Sequence, residues 1–169
     1  MGRKEAYSGE YQRISANIKK TIGRIPDDKF GWKPHEKSFT MGELASHLIN
    51  IQSWIKVTLE MNSFDMQPND DNNNQNHMAS NSEELMNMYN KNLKEGTDCL
   101  NNTTEEELDK NWSLLSSGKE LFTMPKIAVF RNFVFNHLIH HNAQLGVYLR
   151  LNDISLPAIY GPSADENIF

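Results

Sequence analysis

Of the six histidines in the chain, His137 and His141 stand four residues apart. On a helix that spacing puts both rings on one side, about 6 Å apart, where they can converge on a single cation. One helical turn supplies only two ligands, so a third has to arrive from another element. His47 is the one other histidine set in an apolar helical stripe, three residues after Leu44 and four before Ile51. Three imidazoles suit Zn, Ni or Fe over the oxygen-seeking Mg and Ca. Three protein ligands also leave coordination positions open, as catalytic sites do. An open position on such an ion can lower the pKa of water to about 7, or hold a thiol as its thiolate. The plainer alternative is that inward histidines are hydrogen-bonded core residues, although neutral imidazoles amid phenylalanines are costly without partners. Spacing alone leaves both readings open.

The other candidates are weaker. His35 and His77 fall in polar connectors, and His140, next to His141, is rotated about 100° away from the shared face. Glu43, one turn before His47, could act as a base, but a capping role explains it more simply. Cys99 is the only cysteine, which rules out an intrachain disulfide and thiolate metal clusters, and it reads as a packing residue. No catalytic base or nucleophile has a defined position, so the catalytic residues are unassigned.

Four amphipathic segments must carry these side chains. Tyr7, Tyr11, Ile14, Ile18, Ile22 and Ile25 recur at helical spacing, with Pro26-Asp27-Asp28 closing the segment. Thr40 and Glu43 form a capping box that opens a second helix, whose stripe runs through Leu44, Leu48, Ile51, Ile55 and Leu59. A third begins near Ser82 and uses Leu85, Tyr89, Leu93, Gly96 and Leu100, weakened locally by Gly96. Thr104 with Glu107 predicts a second capping box and a short helical turn before an irregular stretch from Trp112 to Lys119. Thr123 and Pro125 open the longest run, through Ile127, Phe130, Val134, His137, His141, Leu145 and Tyr148, with Asn152 as its cap. The segment 62–81, rich in Asn, Asp, Gln and Ser, reads as an exposed polar loop. The tail 152–169, with Pro157 and Pro162, reads as extended. Without convincing strand alternation, the expectation is a single all-α domain over 1–169, a four-helix bundle.

Composition narrows the function. With 169 residues, 38% hydrophobic and 23% charged, the chain can build one core. A net charge of −5 without a Lys/Arg cluster argues against nucleic acid as a partner. No apolar run approaches the about 20 residues that span a bilayer, and the first residues lack a signal-peptide core, so no membrane partner is expected and a cytoplasmic setting is.

Two stretches carry a family resemblance. NHLIHHNAQLGVYLRLNDISLPAIYGPSADE, residues 136–166, and FGWKPHEKSFTMGELASHLINIQSW, residues 30–54, resemble the carboxyl-terminal signature and second helix of the DinB-like (YfiT-like) family. The resemblance extends over nearly the whole chain, with the loosest alignment between about 62 and 125. It implies an up-down-down-up four-helix bundle, often a homodimer, with Zn or Ni on three histidines that fall at His47, His137 and His141. Where the family writes His-Arg-Gly-Gln, this chain has His141-Asn142-Ala143-Gln144, so any role of that arginine is not carried over. Tyr160-Gly161-Pro162 resembles the closing motif that packs the tail over the bundle end. The activity implied is metal-dependent hydrolysis of a small-molecule substrate, or transfer of a low-molecular-weight thiol such as bacillithiol or mycothiol. The alternative is a non-enzymatic, stress-related dimeric protein that binds a metal or ligand.

Overall fold

Each apolar stripe becomes a helix that turns the stripe inward. A computed structural model describes residues 2–67 and 77–167. Helix α1 spans Arg3–Ile22, α2 spans Met41–Glu60 and α3 spans Ser82–Asn102. Thr40 and Glu43 make both halves of the predicted box: Glu43 N–H donates to Thr40 Oγ1 at 3.2 Å and Thr40 N–H to Glu43 Oε2 at 2.7 Å. Asn81 opens α3, accepting from Glu84 N–H at 2.9 Å. Helices α1 and α2 both pack against α3 and also against the last helix, so residues from all four fill one core, among them Tyr11, Leu48, Tyr89 and Leu145.

Gly96 of α3 faces Tyr11 of α1. A Cβ built there would lie 2.8 Å from Tyr11 Oη and 3.1 Å from the ring carbon beside it. Tyr11 is fully buried and cannot swing away freely. The glycine is therefore a packing requirement, more than the local weakness that helix propensity suggests. Gly96→Ala is expected to destabilise the protein by about 2 kcal/mol through overpacking, against a propensity gain of about 1 kcal/mol. Urea unfolding measures the difference, and an unchanged or raised midpoint would show that Tyr11 yields without cost.

The all-α expectation requires correction, because the protein is mostly helical but also contains a small sheet. Strand β1 covers Ser63–Asp65; after the short helix α4, Glu105–Asp109, come β2, Asn111–Ser116, and β3, Lys119–Pro125. The strand order is β1-β2-β3, with Ser63 parallel to Ser113 and Asn111 antiparallel to Pro125. Trp112 and Leu114 alternate into a second apolar cluster with Val129, beneath the sheet. Ser117 and Gly118 make the hairpin turn with φ of 51° and 75°, the two positive values that a type I′ turn needs. The stretch read as irregular is thus a hairpin, and part of the segment read as loop is its neighbouring strand. Residues 68–76 of that segment lie outside the described residues.

Thr123 belongs to β3, so Pro125 alone caps the final helical run. That run comprises α5, Lys126–Val129, a π-helical segment, Phe130–Phe135, and α6, Asn136–Arg150. The wider π turn rephases α6 relative to α5 and brings Phe135 into the core beside Val134. Thr104 caps α4 through Glu107 N–H at 3.2 Å, but the Glu107 carboxylate turns to Lys110 and Lys126 instead of completing the predicted box. At the far end Asn152 Nδ2 donates to the Tyr148 carbonyl at 2.9 Å. The tail is fastened by Arg24 to Glu166 and Arg150 to Asp165, with Pro157 and Ala158 buried; Tyr160, predicted to pack there, is exposed.

Candidate metal centre

Helix α2 presents His47 between Leu44 and Ile51, and α6 presents His137 and His141 one turn apart. All three rings are half-buried, and one nitrogen from each lies within 4.8 Å of the other two. The Nε2 atoms of His47 and His137 are 3.4 Å apart. That is long for an N–H···N hydrogen bond, but close to the about 3.3 Å that separates two nitrogens on a tetrahedral ion with bonds of 2.0–2.1 Å. Ring centroids of 4.7 Å for His47 and His141, and 4.6 Å for His137 and His141, complete the cluster.

The surroundings hold the rings in a ligating state. His141 Nδ1 lies 2.9 Å from Gln144 Oε1. An amide oxygen only accepts, so Nδ1 carries the hydrogen and Nε2 keeps its lone pair. Burial, and then the neighbouring His141 and His137, push the His47 pKa down to about 4. Burial likewise lowers His137 and His141. Neutral imidazoles are the form a metal requires, so the donor set fits a divalent transition-metal ion.

The structure therefore brings together the three histidines singled out by spacing, and leaves His35, His77 and His140 outside that cluster. His140 is exposed beside His141, and His35 lies in an exposed turn where its Nδ1 accepts from Lys37 N–H at 3.1 Å. Glu43 is spent on its cap. Cys99 is half-buried against the core, with its Sγ 3.6 Å from Glu60 Oε1 and its pKa raised, chiefly by burial.

A cavity of about 690 Å³ opens beside His47 and His137. Trp54 and Val57 of α2, Phe64 of β1, Leu114 of β2 and Phe133 of the π segment form much of its wall. His77 also lines it. The His77 carbonyl accepts from Asn50 Nδ2 at 2.9 Å, and its Nε2 faces Glu84 Oε1 at 2.7 Å. Sequence reasoning missed this histidine because it sits in a polar connector, with no periodicity to place it. The wall contributed by the sheet was legible only through the alternation of Trp112 with Leu114 and the Ser117-Gly118 turn.

A helical protein with a sheet insert and three convergent histidines is the class these observations define. The model of the DinB family matches residues 1–167, and the chain belongs to that family. No curated protein matches it in sequence. Among solved structures, it is similar to a DinB-like protein from Bacillus cereus ATCC 10987, with a TM-score of 0.70 and 17% identity over 92% of this chain and 97% of that one. A DinB-like protein from Bacillus subtilis gives 0.68 and 18%, over 90% and 95%. A mycothiol-dependent maleylpyruvate isomerase gives 0.52 and 10%, over 87% of this chain and 59% of that one. At these identities the likeness is one of fold.

Proposed function

We propose that the protein is a divalent-metal-dependent enzyme acting on a small molecule, either transferring a low-molecular-weight thiol to it or hydrolysing it. The observation that carries this reading is the placement of His47 and His137 in the wall of the cavity, so that an ion on the triad would face a space sized for a substrate. Such an ion supplies Lewis acidity toward a water or thiol. His141 is oriented by the Gln144 amide. Outside the triad, His77 is the titratable side chain among the described residues of the wall, and is the group available to accept the proton that a thiol or water gives up. The likeness to a mycothiol-dependent isomerase supports thiol chemistry over hydrolysis. We read the four long helices as the family's up-down-down-up bundle, and assembly as a homodimer belongs to the same proposal.

The test uses protein purified without a chelating column, loaded with Zn or Ni and given a low-molecular-weight thiol with 1-chloro-2,4-dinitrobenzene, or a p-nitrophenyl ester alone. Turnover that requires the metal, and that falls at least about 100-fold in His137→Ala, is the expected result. Metal uptake with neither reaction would overturn the enzymatic reading and leave a protein that retains an ion without using it.

A further inference from the structure

The cavity beside the triad differs from the rest of the molecule in its chemistry. Charged residues make up 23% of the chain, yet none of the twelve described residues that line the cavity is Asp, Glu, Lys or Arg. Its polar groups are largely spent on one another. Asn50 Nδ2 donates to the His77 carbonyl, and Ser53 Oγ donates to the Asn50 carbonyl at 2.7 Å. What remains for a guest is aromatic and aliphatic surface, with imidazoles at one end.

That surface is rigidly backed. Phe133 is 37% exposed, although it is a large apolar residue at the cavity, and it stacks on Phe122 with centroids 4.7 Å apart at 12°. Trp54 packs on Phe64 at 5.4 Å and on the buried Trp112 at 6.3 Å, and Trp112 in turn contacts Phe122 at 6.3 Å. The two sides of the wall are thus joined through one aromatic cluster under the sheet. Flat apolar groups gain most from such a wall, while an ionised group would lose its hydration with no opposite charge among the described lining residues to meet it.

We infer that this cavity binds an uncharged molecule with a flat apolar body, held by Phe133, Trp54 and Phe64 with its reactive end toward the imidazoles. The inference rests on the proposed small-molecule function and names the substrate class for it. It also divides the reactants of a thiol transfer, since an ionised thiol cosubstrate would keep its charged part outside this wall.

The test is equilibrium dialysis of the chelator-treated wild-type protein with three matched probes: 2-naphthylmethanol, 2-naphthoate and 2-naphthylmethylammonium. The neutral probe is expected to bind at least about tenfold more tightly than either ion. Phe133→Ala should weaken it about fivefold, while Leu121→Ala, exposed on β3 and outside the cavity, should leave it unchanged. Ser53→Lys, adding a cation to the wall, should shift the preference toward naphthoate. Equal binding of neutral and charged probes, or neutral binding indifferent to both Phe133→Ala and Ser53→Lys, would overturn the inference. Because no metal is present in the assay, selective binding alongside failed metal loading would remove the proposed chemistry and leave the cavity's preference standing. Metal loading without selective binding would do the reverse.

Discussion

His137→Ala is expected to lower the affinity for Zn or Ni by at least about 100-fold, because even a second-shell partner is worth 10–100-fold and His137 is placed as a direct ligand. Its Nε2 lies 3.4 Å from that of His47, and its nitrogen shares the 4.8 Å cluster with His141. Wild-type protein should retain about one ion per chain by elemental analysis. At a metal concentration near 1,000 times Kd the folded state gains about 4 kcal/mol, which for a chain of this size raises Tm by roughly 10 °C. His137→Ala should lose that rise. Gln144→Leu, which removes only the acceptor for His141 Nδ1, should weaken retention by about 10–100-fold. A core role for the histidines predicts otherwise: the metal-free protein would be destabilised by His137→Ala, and metal would shift Tm in neither protein.

Glu107→Ala is expected to destabilise the protein by about 3 kcal/mol, lowering Tm by roughly 9 °C. The cause is Lys126, whose side chain is only 1% exposed and whose Nζ donates to Glu107 Oε1 at 2.6 Å and to the Leu59 carbonyl at 3.0 Å. Removing the carboxylate leaves a buried ammonium with one neutral partner. Lys126→Met removes the charge and keeps the bulk, so it should cost much less. Lys110 and Lys126 hold the Glu107 carboxyl below its ordinary value. A depressed folded-state pKa means that this stabilisation is fully present above the unfolded value near 4.3 and is lost as pH falls through the folded one. The difference between wild type and Glu107→Ala should therefore shrink in acid, as thermal melts from pH 7 to pH 3 would show. A gap that persists unchanged at pH 3 would mean that the carboxylate's charge is not what stabilises Lys126.

Glu107 also shows where reading the sequence stops. Thr104 with Glu107 matches a capping box as well as Thr40 with Glu43 does, and only the second pair closes on both sides. The difference lies in Lys126, nineteen residues further on, which competes for the carboxylate. Gly96 is similar: its cost to an isolated helix is local, whereas the reason for it is the Tyr11 ring on another helix.

The four apolar stripes, the cap at Thr40 and the inward setting of His47, His137 and His141 were determined by the sequence alone, because helical periodicity and capping are written within a few residues of each position. Tertiary structure decided that the three imidazoles meet, that Ser63 pairs with Ser113 across fifty residues, and that the π turn and the sheet give the cavity a wall of Phe133, Phe64 and Leu114. Short strands bury their faces only once distant partners are in place, so the alternation of Trp112 with Leu114 and the Ser117-Gly118 turn hint at a hairpin, while its pairing with Ser63 and the cavity it walls have no local signature.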